Sequence, residues 1–151
     1  MMKRGIWALL LVVAVAIYGL LEWTVDDWSR DLFANSANTN YTARDLELRP
    51  ITEAPTVDAA ERAVLNAALS LKGWELVSAA DEQSGGRIIT YTCIDPYFGI
   101  TDDITVTIVN GEEAVVIDGV SKSRSTWGDL GRNPRNLKSL LNNVRRNLWH
   151  E

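Results

Sequence analysis

The sequence predicts an α+β fold, and three observations predict it. Two stretches with apolar residues at helical spacing, Ala60 to Leu71 and Leu137 to Leu148, bracket a region without that spacing. Between them, segments rich in β-branched residues are separated by turn formers, as consecutive hairpins are. Ahead of everything stands an uncharged run, Ile6 to Leu21. The expected architecture is an N-terminal transmembrane helix followed by a small domain made of a helix, a four-stranded antiparallel sheet and a final helix. The division is 1–23 membrane anchor, 24–55 tether and 56–151 α+β domain.

With its flanks from Gly5 to Val25, the apolar run approaches the roughly 20 residues that a bilayer crossing needs. Trp7 and Trp23 sit where interfacial aromatics are expected. Lys3 and Arg4 precede the run and Glu22, Asp26 and Asp27 follow it, so the positive-inside rule places the N-terminus in the cytoplasm and the domain outside. The run is longer than the apolar stretch of a cleaved signal peptide, and Ala14 to Ala16 falls inside it rather than after it. From Thr24 to Pro55 the composition turns polar, with Val25, Trp28 and Leu32 spaced for a short helix and Asn35 to Asn40 carrying loop chemistry.

In the domain, Thr56 or Asp58 caps a helix through Leu71 that stops at Gly73. Trp74 to Ala79 and Arg87 to Ile94 form a hairpin across Asp81 to Gly86. Ile104 to Ile108 alternates with period two, and Asn110-Gly111 signals a type I′ turn into a fourth strand from Glu113 to Gly119. The last helix takes Asn133 as its N-cap and Pro134 at its first position, with Leu137, Leu140, Leu141, Val144 and Leu148 on one stripe.

The formal net charge is −5, and with Lys3 and Arg4 set aside residues 22–151 carry 13 basic and 20 acidic groups. That balance argues against nucleic acid as a partner. Cys93 is the only cysteine, which excludes an intramolecular disulfide, a CxxC pair and a cysteine-based zinc site. No cofactor-binding motif is present: Gly128 to Gly131 lacks the glycines and lysine of a phosphate loop. The spacing of Asp95, Asp102 and Asp103 does not match an EF-hand, so no metal is expected. His150 sits at the fraying C-terminus, too far from order to serve a nucleophile. Charge is uneven along the chain: residues 120–151 carry seven basic groups against two acidic ones. Arg135, Lys138, Arg145 and Arg146 fall outside the leucine stripe, where they can face lipid phosphates or an acidic partner.

The stretch Val120 to Asn133 packs turn formers and polar donors between the last strand and the last helix. Its segments Ser121-Lys122-Ser123-Arg124 and Asp129-Leu130-Gly131-Arg132-Asn133, with Phe98-Gly99-Ile100-Thr101-Asp102-Asp103 upstream, resemble the bacterial family known as domain of unknown function 1499. The resemblance spans roughly Pro50 to Leu148. Val120 and Thr126 depart from the pattern, which has arginine and glycine there, and the asparagine-cysteine pair near the start of many members is absent. The resemblance implies an architecture and a set of key positions but no activity.

Asp102, Asp103, Ser123, Arg124, Asp129 and Asn133 are the candidate site. Two adjacent carboxylates near a guanidinium form charge-assisted bonds, either as a ligand pocket or as an anchor in which Arg124 ties the loop and Asp129 and Asn133 satisfy backbone donors. The functional expectation is a membrane-anchored, non-catalytic module of the bacterial inner membrane, single-pass with its domain in the periplasm, binding an integral membrane protein or envelope component. The competing expectation is a small enzyme or ligand-binding domain that uses the Asp/Arg pocket.

Overall fold

The computed structural model describes residues 2–24, 34–125 and 128–149. The first helix, α1, spans Met2–Thr24. Two short strands follow, β1 (Ser36–Asn38) and β2 (Ile51–Ala54), with a 3-10 turn at Leu46–Leu48 between them. Then come α2 (Val57–Leu69), β3 (Trp74–Asp81), β4 (Arg87–Ile94), β5 (Thr101–Asn110), β6 (Val115–Ser123) and α3 (Arg132–Trp149). The predicted short helix through Val25, Trp28 and Leu32, the family position Thr126, and His150 lie outside the described residues.

Two expectations are corrected. Among the described residues no helix is long and apolar enough to cross a membrane, which corrects the expected transmembrane helix. The physical reason is length: the charge-free part of α1, Gly5 to Leu21, is 17 residues, at the short limit of the roughly 17–25 that a span takes. Among the described residues the sheet has six strands rather than four. Both extra strands come from the segment read as a tether, and both lie antiparallel along the same edge of β6: Ala37 opposite Ser121, and Ile51 opposite Ile117. From there the order runs β6-β5-β4-β3 through consecutive antiparallel neighbours, leaving β3 as the far edge.

Alternation in the central strands builds the core. Ile89, Tyr91, Ile104, Val106, Ile108 and Ile117 point to one face and are buried, while Thr105 and Thr107 point to the other. Onto the inner face pack α2, through Ala60, Ala63, Val64 and Ala67, and α3, through Leu137, Leu140, Leu141 and Val144. The alanine stripe of α2 permits close approach to the sheet, and Gly119 does the same for α3: a Cβ there would sit 3.0 Å from Leu137 Cδ2. Thr56 caps α2 by accepting from Ala59 N at 3.1 Å. The β5–β6 connection differs from a two-residue type I′ turn. Asn110 pairs with Val115 across four intervening residues, and Gly111 is absent from the positive-φ glycines. What requires a glycine there is proximity, since a Cβ would lie 2.7 Å from Ala114 O.

Candidate functional site

Strand geometry decides what the Asp102–Asp103 doublet does. Successive side chains of a strand face opposite sides, and in β5 the inward set is Asp102, Ile104, Val106 and Ile108. Asp102 is therefore in the core layer at 0% exposure, and Asp103 is on the outer face. Both lie within β5 rather than at the turn that precedes it.

A buried carboxylate costs stability unless it is paired and hydrogen-bonded. Arg132 Nε and Nη2 donate to Asp102 Oδ2 and Oδ1 at 2.6 and 2.8 Å, a bidentate pair. Asn136 Nδ2, four residues on from Arg132 and hence on the same face of α3, donates to Asp102 Oδ2 at 2.9 Å. Arg132 Nη2 also donates to Ser123 Oγ at 2.8 Å, binding the end of β6 into the same group. The hydrogen bonds it donates to Asp102 raise the Arg132 guanidinium above its ordinary value. Cys93 stands opposite Asp102 on β4; burial pushes its thiol up to about 11, with the Asp102 charge adding to the effect. It is a protonated core residue, not a poised nucleophile.

On the outer face Arg124 Nε and Nη2 reach Asp103 at 2.7 to 3.2 Å. The side chains are 59% and 41% exposed. The Arg124 hydrogen bonds hold the Asp103 carboxyl below the usual carboxylate value.

Asp129 and Asn133 form a third group. Asp129 Oδ1 accepts from Gly131 N at 2.8 Å and Oδ2 from Asn133 N at 3.3 Å. The capping carboxylate is thus Asp129, because α3 already begins at Arg132. Asn133 clamps three segments instead. Its Oδ1 accepts from Ser121 Oγ at 2.6 Å on β6, and its Nδ2 donates to Asn35 O at 3.0 Å ahead of β1 and to Asp129.

The basic residues of α3 have partners within the chain, and Arg135 and Arg146 remain exposed while making theirs. Arg135 Nη1 donates to Leu130 O at 3.0 Å, Lys138 pairs with Asp45, Arg145 Nη2 donates to Arg49 O at 2.9 Å, and Arg146 donates to Asn143. Arg145 and Lys138 tie α3 to the segment around the 3-10 turn.

Where these groups meet, the β4–β5 turn and the loop before α3 enclose a cleft of about 190 Å³. Asp95, Phe98, Ile100, Leu130, Arg132 and Arg135 line it. Asp95 shapes the turn, accepting from Tyr97 N and Phe98 N at 2.9 and 2.8 Å. Tyr97, Phe98 and Leu130 are 88%, 72% and 61% exposed. Leu130 sits at φ 52, the one non-glycine among the described residues in the left-handed region. A larger open cleft between α2 and α3 is polar, and its asparagines bond inward: Asn143 to Ser70 Oγ and Asn147 to Ala63 O.

The two segments that converge here are those of the family pattern, Phe98 to Asp103 and Asp129 to Asn133, and the profile of a protein of unknown function (DUF1499) matches residues 28–144. The chain belongs to the DUF1499 family. No curated protein matches it. The DUF1499 match begins at residue 28, so it includes β1 and β2. Within the DUF1499 segments, sequence reasoning missed Arg132, Asn136, Ser121 and the exposed Leu130. The signal for Arg132 was present: Asp102 is in phase with Ile104, Val106 and Ile108, so it had to be buried, and a buried carboxylate needs an arginine that Arg124, on the other side of the sheet, cannot supply.

Proposed function

We propose that the chain is a non-catalytic binding module of the bacterial cell envelope, working outside the cytoplasm, which holds a membrane protein or another envelope component through the turn Asp95–Ile100 and the loop Gly128–Leu130. The observation that carries this reading is Leu130. A leucine in the left-handed region is strained by about 1–2 kcal/mol relative to the right-handed one, yet its side chain is exposed at the cleft it shares with Phe98. Strain of this kind persists where surrounding structure enforces it, and here the Asp129 and Asn133 bonds and the buried Arg132 supply the enforcement. Exposed apolar groups, Leu130 with Phe98, rimmed by an arginine and an acid are what an interaction surface presents. The exposed apolar side chains of α1, among them Trp7, Leu9, Leu11 and Val15, favour an apolar surface nearby.

An acid/base enzyme is less well supported, because Asp102 is filled by Arg132 and Asn136, Asp103 by Arg124, and Asp129 by backbone donors. The test is affinity purification of the full chain from its native envelope, wild type against Phe98→Asp and Leu130→Asp. The expected result is an envelope protein retained by wild type and lost by both variants. Equal retention by all three would refute the assignment of the loops.

A further inference from the structure

A third concavity lies away from these loops, at the free edge of the sheet. β3 is the last strand, and α2 stops short of covering it: Leu76 and Val77 are exposed while Tyr91 on the neighbouring strand is 2% exposed. Leu76 stands directly opposite Tyr91 in the ladder, so both face the helix side. The result is a cleft of about 320 Å³ between α2 and the β3–β4 pair, walled by Leu65, Ala68 and Leu69 from the helix and by Trp74, Leu76 and Tyr91 from the strands. Trp74 and Tyr91 stack at a tilt, with ring centroids 5.8 Å apart, at its base.

Two of these six side chains can hydrogen-bond, Trp74 through its indole N–H and Tyr91 through its hydroxyl, and the Tyr91 hydroxyl is the one that is buried with no partner among the described residues. A buried hydroxyl left without a bond is costly, and buried tyrosine hydroxyls usually find one. Burial pushes the phenol up to about 12, with the Glu61 charge adding, so it stays protonated and is a donor. Glu61 itself is engaged by Arg87 Nε at 3.1 Å. A wall of aliphatic and aromatic groups, an unbonded buried O–H donor beside an indole N–H, and a nearby negative charge select among ligands. They suit an uncharged apolar molecule with one oxygen acceptor and disfavour a carboxylate. The volume is at the lower end of ordinary small-molecule sites, about 300–1,000 Å³.

We infer that the cleft between α2 and β3–β4 is a binding site for a small neutral apolar molecule whose carbonyl or ether oxygen accepts a hydrogen bond from Tyr91. This site shares no lining residue with the loop cleft and does not depend on the function proposed for it.

The test is a titration of the isotopically labelled full chain, followed by amide NMR, with three probes: acetophenone, ethylbenzene and benzoate. Acetophenone and ethylbenzene should shift the amides of Leu65, Ala68, Trp74 and Tyr91. Acetophenone should bind about fivefold tighter, the ratio expected for one hydrogen bond to an otherwise unmet donor, and benzoate should bind weakest. Tyr91→Phe should erase the preference for acetophenone while leaving ethylbenzene affinity unchanged. Leu76→Trp, a change at an exposed edge position that keeps the core intact, should fill the cleft and weaken both neutral probes at least tenfold. Equal affinity of acetophenone and ethylbenzene for wild type, benzoate binding as tightly as acetophenone, or shifts confined to other residues would each overturn the proposal. So would a Leu76→Trp variant that binds both neutral probes as wild type does.

Discussion

Asp102 and Asp103 are chemically identical neighbours, each held by an arginine, and they are nevertheless two different kinds of interaction. Asp102 with Arg132 is enclosed, at 0% and 10% side-chain exposure, and three nitrogen–oxygen bonds fill the carboxylate. Asp103 with Arg124 has similar bond lengths but is open to water. Bond length alone would rank them as equals. Desolvation separates them, because a buried ion left alone is strongly destabilising, whereas water takes over from a lost partner at the surface.

The largest effect should follow from breaking the inner pair. Arg132→Ala leaves Asp102 buried and uncompensated and should lower stability by about 3–5 kcal/mol, read as a drop in the urea midpoint. Asp102→Ala should be comparably severe. The double variant should lose much less than the sum, and additive losses in that cycle would show the two residues to be independent. Several-fold smaller are the effects of two changes in the loop before α3. Asp129→Ala removes the acceptor for Gly131 N and Asn133 N and should cost about 1 kcal/mol. Leu130→Gly should act in the opposite direction, raising the midpoint by about 1 kcal/mol as the left-handed strain is released, while weakening retention of the envelope partner.

Smallest of all is the outer pair. Arg124→Ala should leave the midpoint nearly unchanged, and what little it changes should vanish at 1 M salt. Its pH signature has a definite sign. The folded Asp103 carboxyl titrates below its ordinary value of 3.8, so its contribution is present above that value and is lost as pH falls through the lower, folded one. Wild type and Asp103→Asn should therefore differ slightly at pH 6 and converge in acid. A constant gap down to pH 2 would contradict the pairing.

The legible part of the fold was the part built on periodicity. β4, β5, β6 and the two domain helices carry their apolar residues in phase, and these, with β3 read from the hairpin loop that follows it, are the elements the sequence predicts. β1 and β2 could not be read in this way, because Ser36–Asn38 and Ile51–Ala54 are too short to display a period and the first is made of loop formers. They are strands because β6 offers an edge to pair with, a cause that lies elsewhere in the chain. The apolar run at the N-terminus misled for a related reason: composition marks a helix, but length decides what it can span. At the site, the residue types were visible and the side of the sheet was not applied to them. Taking Asp102 and Asp103 together as one acidic pair overlooked that a strand sends neighbours apart, and with it the partnership of Arg132.

The doublet also bears on how the chain finds its register. Slipping β5 by one residue would bring Asp103 to the inner face in place of Asp102, so Arg132 would meet a carboxylate in either alignment and cannot by itself tell them apart. The same slip would expose Ile104, Val106 and Ile108 and bury Thr105 and Thr107. Fidelity of assembly therefore rests with the three aliphatic residues. The ion pair closes an arrangement they have already chosen, and shortening those side chains would open a misaligned state that a lone aspartate would have penalised and this pair of aspartates tolerates.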